Sequence, residues 1–204
     1  MKTTTFVAFG LSVLVPVLAG AQDVSRVKTL FEAGRYDDVV QSASAQRERN
    51  PESFATAFLA AQSYLKMNRP DSAQAELSWI EEQGDEFWSL IAQSSRALGA
   101  GNGGEAVRKA REAADRAPDN FYAHYQLGLA YSHAGDLDKA AAAFERATQI
   151  DPSFAYAHYY AGLAFNKLRR VDLMAAHFEA FLNLAPSAPE RPAVESIMRT
   201  IRGR

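Results

Sequence analysis

Leu127-Gly128-x-x-Tyr131 … Ala140-x-x-x-Phe144 … Pro152 returns 34 residues later as Ala161-Gly162-x-x-Phe165 … Met174-x-x-x-Phe178 … Pro186. Pro118, Pro152 and Pro186 keep the same step. A helix signature and a proline recurring at one fixed period describe a stack of like units, each burying its apolar face on the next. A stack of this kind offers a surface rather than a reaction centre. The sequence therefore says more about the kind of object than about what it touches.

In residues 121–154, His124, Leu127, Gly128 and Tyr131 fall at i, i+3, i+4 and i+7, one face of a helix. Gly135-Asp136 makes a turn, with Asp136 the expected cap of a second helix. Leu137, Ala140, Ala141, Phe144 and Ala147 form that helix's apolar stripe, and Pro152 ends it. Extending the register outward predicts five units, 23–53, 54–86, 87–120, 121–154 and 155–188. The first is degenerate (Val27, Leu30, Gly34, Val39, Ala43, Pro51) and the second, through Ala60, Ala61, Tyr64, Ala73 and Leu77, is one residue short. The third carries Gly101, Ala106, Ala110, Ala113 and Pro118. In residues 189–204, Ala193-Val194, Ile197-Met198 and Ile201 recur at helical spacing, which predicts a helix capping the last apolar face.

The N-terminus reads differently. Met1-Lys2 is a short cationic start, Phe6 to Leu18 is mostly apolar, and Ala19-Gly20-Ala21 places small residues where a signal peptidase reads them. The expectation is a signal peptide over residues 1–21 cleaved before Gln22. The alternative, a retained anchor, is short of the ~20 residues a bilayer-crossing helix needs. Export implies a periplasmic or secreted bacterial protein without membrane insertion after cleavage. The chain has no cysteine, so disulfides, thiolate metal sites and lipidation at cysteine are excluded. Its formal charge of −2 gives no clustered basic face of the sort nucleic acid requires.

On His124, Leu127, Gly128, Tyr131, Ala140, Phe144 and Pro152 the chain resembles the tetratricopeptide repeat family, with histidine where tryptophan is usual. The resemblance implies an all-α, right-handed superhelical solenoid of about five helix-turn-helix units plus a C-terminal capping helix. Gly128 and Ala140 suit close helix approach, and Tyr131 and Phe144 fill the space beside it.

Motifs for chemistry are weak. Gly99-Ala-Gly101-Asn-Gly-Gly104 matches G-x-G-x-x-G, but a helix precedes it and Gly101 falls in the repeat's turn slot, so it reads as a turn. His124 and His158 lie one unit apart, ~8–10 Å for neighbouring helices, marginal for sharing an ion. They read as packed core residues, and His133 and His177 as surface or turn residues. No nucleophile motif is present. The expectation is a protein that is not an enzyme and holds no cofactor or metal.

One stripe exceeds what the stack needs. Tyr122, Tyr125, Leu129 and His133 recur as Tyr156, Tyr159, Leu163 and Lys167, with Trp88, Ile91 and Leu98 one unit earlier and Phe58 and Leu65 before that. The resemblance places these positions on the concave groove where partner peptides lie. It implies a partner-binding ladder of Phe58, Trp88, Tyr122, Tyr125, Tyr156 and Tyr159, with Lys66, His133 and Lys167 at its edge. The same rings also suit packing of unit on unit, and the two readings are compatible. The family's carboxylate clamp would need basic or amide residues where this chain has Phe58, Ile91, Tyr125 and Tyr159. An amphipathic helix or extended peptide fits better. The implied function is an exported scaffold binding a protein or peptide partner in assembly of an envelope complex. An envelope glycan-binding protein that stacks sugars on the same rings is the alternative. The degenerate first unit leaves a homo-oligomeric docking edge open.

Overall fold

The computed structural model describes residues 14–202, with side chains over residues 23–201. Residues 1–13 of the expected signal peptide thus lie outside the described residues. Eleven helices make up the described chain: α1 Leu14–Glu32, α2 Tyr36–Arg49, α3 Phe54–Lys66, α4 Pro70–Gln83, α5 Glu86–Gly99, α6 Gly103–Arg116, α7 Phe121–Ala134, α8 Leu137–Ile150, α9 Ala155–Lys167, α10 Val171–Leu184 and α11 Arg191–Arg202. Among the described residues there is no strand. Each helix packs on the next in sequence, and first helices also touch across units, α1 on α3, α5 on α7 and α7 on α9. This is the all-α repeat stack that the 34-residue period predicts.

Each unit turns through one left-handed residue. Gly34, Gly101 and Gly135 have φ of 72°, 74° and 81°, and the equivalent turns in the second and fifth units use Asn68 (57°) and Arg169 (59°). Those five positions repeat the period of the array, a regularity visible in the sequence only once the turn geometry is known. A side chain with Cβ costs roughly 1 kcal/mol more than glycine in this region. Arg169 is exposed, so Arg169→Gly is expected to stabilise the protein by about 1 kcal/mol, read as a raised midpoint in urea.

Capping differs from expectation at one place. Asp136 precedes α8 but makes no side-chain cap bond. Its carboxylate accepts from Lys139 Nζ at 2.5 Å instead. Side-chain caps are made by Asp85 to Trp88 N, Asn102 to Glu105 N and Asn120 to Tyr122 N.

Between the helices of a unit, one slot on the first helix faces one on the second. The slot residues are Gly128/Phe144 and Gly162/Phe178, which meet directly, and by the same 16-residue register Val27/Ala43, Ala61/Leu77 and Ser94/Ala110, and all of them are buried. A small residue on the first helix is matched by Leu or Phe on the second in three units. The first unit reverses the pair, and the third pairs Ser94 with Ala110. There Ser94 Oγ donates to the Ala106 carbonyl (2.9 Å) and accepts from Gln126 Nε2 (3.0 Å), so a polar bond takes the place of a ring.

Candidate functional site

The first helices α1, α3, α5, α7 and α9 turn their second apolar stripe toward the inside of the curve, and the stripe residues meet one another. Phe58 lies 5.7 Å from Tyr122 between ring centroids, and Trp88 lies 5.2 Å from Tyr122. Tyr125 packs edge-on against Phe154 at 5.0 Å. Tyr156 lies 5.9 Å from Tyr159, and Tyr159 5.1 Å from Phe181. Phe58, Trp88 and Tyr122 meet directly, and Phe121, Phe154 and Tyr160 carry the ring contacts on to Tyr125, Tyr156 and Tyr159, in geometries that add to the stability of a packed interior.

Their exposure corrects the picture of an open groove. Phe58, Tyr122, Tyr125 and Tyr156 are all buried, Tyr156 and Phe58 completely. Trp88 and Tyr159 are half-buried, and His133 and Lys167 are exposed at the last turns of α7 and α9. The reason is curvature: the inner faces of five units close on one another instead of leaving space between them. A partner meeting this conformation would touch Trp88 and Tyr159 but not the four buried rings. Beside Trp88 a depression of about 510 Å³ opens toward Pro118, Phe121, Ile150 and Asp151. A second hollow, about 560 Å³, lies at the far end of the stack between Met174 and Ile197 under α11. It is remote from the ladder and belongs to the seating of the cap.

The closure joins the stripe residues Tyr156 and Lys66 to residues that periodicity does not single out. Lys28 Nζ donates to Asp151 Oδ2 (2.7 Å) and Ser153 Oγ (2.8 Å), 123 and 125 residues away. Glu32 Oε1 accepts the Ala155 backbone N–H at 2.7 Å, at the N-terminus of α9. Phe31 packs on Tyr156 at 5.0 Å. The Tyr156 hydroxyl donates to Glu190 Oε2 (2.7 Å) and lies 3.4 Å from the Tyr36 hydroxyl. Lys66 Nζ donates to Glu190 Oε1 at 2.7 Å and sits 4.9 Å from the Tyr156 ring centre. No local signal marks Lys28, Glu32, Asp151 or Glu190, because their partners are set by the summed rotation of the units.

Charge follows the closure. Burial pushes the Glu32 carboxyl up to about 7 against the opposing pull of the Ala155 amide and Lys28. Burial also acts to raise Glu190, but its bonds from Lys66 and Tyr156 outweigh that and hold it below the usual carboxylate range. Tyr122 is raised by burial, with Asp151 and Glu32 adding to the effect. Its hydroxyl is buried without a hydrogen-bond partner.

The histidines have structural tasks. His124 Nε2 lies 2.8 Å from the Pro118 carbonyl and His158 Nε2 3.3 Å from that of Pro152, so this slot ties each unit to the turn before it. Both are half-buried rather than enclosed. His177 is not the surface residue expected: it stacks on Phe165 and its Nδ1 lies 3.1 Å from His158 Nδ1. Burial first, and the His158 charge second, push it down to about 4. Among the described residues no group of three or more His, Cys, Asp or Glu is placed to hold a metal ion.

These slots and this stacking define a helical repeat protein whose units are tetratricopeptide repeats. Two profiles of the tetratricopeptide repeat match the sequence, over residues 30–94 and 91–155. The chain belongs to the tetratricopeptide repeat family. Among solved structures it is similar to TTC0263, a thermophilic TPR protein of Thermus thermophilus, at 19% identity and a TM-score of 0.61, covering 88% of this chain and 98% of that one. It is similar to the first TPR of Spaghetti (RPAP3), solved bound to an HSP90 peptide, at 19% identity and a TM-score of 0.54, over 57% of this chain and 96% of that one. YrrB, a TPR protein with an unusual peptide-binding site, matches at 13% identity and a TM-score of 0.52, over 91% of this chain and 98% of that one. At these identities the likeness establishes the fold. No curated protein matches the sequence.

Proposed function

We propose that the protein is a non-catalytic, exported scaffold that binds a protein or peptide partner through the inner face of its repeats, in assembly of an envelope complex. The observation that carries this is the aromatic interior from Phe58 to Tyr159, which a partner can reach at Trp88 and Tyr159. Two of the similar solved structures are described by their peptides, which supports a peptide-type ligand for the same fold. A glycan is less well served: Tyr122, Tyr125 and Tyr156 have both faces covered by neighbouring side chains, leaving no flat ring for a sugar.

Export rests on the first 21 residues. Cleavage before Gln22 would leave Val27, Lys28, Phe31 and Glu32 in the mature chain. Among the described residues no helix is long and apolar enough to cross a membrane. N-terminal sequencing of the protein from an envelope fraction is expected to start at Gln22, and a start at Met1 would overturn the export reading.

The binding reading is tested with a photo-crosslinking residue at Trp88 or Tyr159, the two ladder positions a partner can reach. In the native envelope these sites are expected to capture one protein that a probe at Asp71, on the outer helix α4, does not. The double variant Trp88→Ala/Tyr159→Ala is expected to weaken that capture at least tenfold with helical content unchanged. Equal capture from Asp71 would place binding elsewhere on the surface.

A further inference from the structure

Neighbouring units are joined by interlocking apolar side chains and by ion pairs such as Arg146 to Asp119 and Arg170 to Asp138, and the two ends of the array are joined across a further seam. Between α1–α3 and the segment from Asp151 to Glu190 the contacts are chiefly charged or hydroxyl groups: Lys28 to Asp151 and Ser153, Glu32 to the Ala155 amide, Tyr36 to Tyr156, Lys66 to Glu190. Apolar contact across the seam includes Phe31 on Tyr156, Gly34 against Pro189, where a Cβ would come within 2.5 Å, and Ala33 beside Leu184 and Pro186. The closed state also leaves the Tyr122 hydroxyl orphaned, and a buried polar group without a partner works against the state that buries it. Polar contacts gain little net stability because water replaces them when they break. The seam thus combines two buried apolar side chains, Val27 and Phe31, with a set of polar contacts that water can replace.

We propose that α1 is a latch: its contacts with α9 and with the segment before α11 cover the aromatic interior, and a partner enters by taking α1's place as a helix of the same chemistry. The proposal rests on the inner-face reading above. The occupant's pattern is that of α1 itself. Val27 and Phe31 are the apolar pair at i and i+4, and Lys28 and Glu32 a cation and a carboxylate at the same spacing. Their receptors are Asp151 with Ser153 for the cation, the Tyr156 ring for the aromatic residue, and the N–H of Ala155 for the carboxylate. A partner helix reading apolar-Lys-x-x-aromatic-Glu satisfies all of them. Being tethered, α1 competes at an effective concentration in the mM range, so the interior stays covered against weak ligands.

The chain has no cysteine, so two introduced thiols carry the only labels. Spin labels at Asp37→Cys and Ser196→Cys, both exposed, report the separation of the ends. The otherwise unmodified protein is expected to give one narrow distance. Lys28→Asp is expected to shift that distribution longer and to speed exchange of the Ala155 amide at least tenfold, and adding Asp151→Lys to restore both. Unchanged distances in Lys28→Asp, or failure of the charge swap to restore them, overturn the latch. Should Lys28→Asp lose helical content, Lys66→Met/Glu190→Gln gives the same reading from the outer contacts, and unmoved labels there overturn it equally. A fluorescent peptide of residues 23–35 is then expected to bind the opened variant at least tenfold more tightly than the closed protein, and a Phe31→Ala peptide not to bind. Opening without peptide uptake overturns the helix-mimicking partner and the inner-face reading with it, while the closure by α1 stands.

Discussion

Gly128→Ala is expected to destabilise the array by about 1–3 kcal/mol, Phe144→Ala by about 3–5 kcal/mol, and the two together by clearly less than their sum. A Cβ built on Gly128 would lie 2.5 Å from Phe144 Cε1 and 2.6 Å from its Cδ1, too close for both to stay where they are. Phe144 is completely buried and has Tyr125 and Tyr160 at ring distances of 6.1 and 5.6 Å, so it has nowhere to retreat. Removing the Phe144 ring alone leaves a cavity of ring size. Adding the methyl at 128 then fills part of it and removes the clash, and the two changes offset. The same trade of size across the slot occurs elsewhere in this chain, where Ala61 pairs in register with Leu77 and Val27 with Ala43. Denaturant unfolding of the four proteins, followed by far-UV circular dichroism, measures the coupling. Strict additivity would mean that the pair does not share one space, and the same cycle at Gly162 and Phe178, where the geometry repeats, would then be expected to fail as well.

The fold is legible in the sequence because it is local. Gly128 with Phe144 and Gly162 with Phe178 lie 16 residues apart within one unit, and helical period and turn chemistry carry that distance. The aromatic interior is legible only in part. Periodicity identifies Tyr122, Tyr125, Tyr156 and Tyr159 as one stripe, yet says nothing about how far the stripe bends. Bending decides whether the rings face water or each other, and it accumulates from small rotations between units. Lys28 and Asp151 belong to no stripe, and nothing in their local sequence connects them. His177 escapes a sequence reading for a related reason: its partner His158 is on the facing helix of the same unit, at a spacing that no metal or turn motif marks. Asp136 shows the limit at the smallest scale, where the Lys139 side chain, which no cap motif marks, is the main partner of its carboxylate.

Glu32→Gln is expected to gain about 3 kcal/mol of stability relative to the unmodified protein as pH rises from 4.5 to 8, an upper figure set by a carboxyl held near 7 when folded and at 4.5 when exposed. Glu32 is 8% exposed, so solvent screening removes little of this. A carboxyl raised on folding favours the folded state fully below its unfolded value, and that contribution is lost as pH climbs to the folded one. The loss is complete slightly above pH 7. His177 acts in the other direction: held down near 4, it supports folding above 6.5 and loses that support as pH falls. The two opposed effects flatten the unmodified protein's profile, and the difference between Gln and Glu at one position isolates Glu32. Glutamine keeps an oxygen to accept the Ala155 N–H, so the comparison changes charge and little else. Lys28, Asp151 and the Tyr122 and Tyr125 hydroxyls are the groups whose fields reach the site. A difference that does not vary with pH would show that Glu32 ionises freely and is not enclosed by α9. Because separating α1 from α9 returns this carboxylate to water without unfolding the central units, the same rise in pH is expected to lengthen the label separation in the unmodified protein and not in Glu32→Gln.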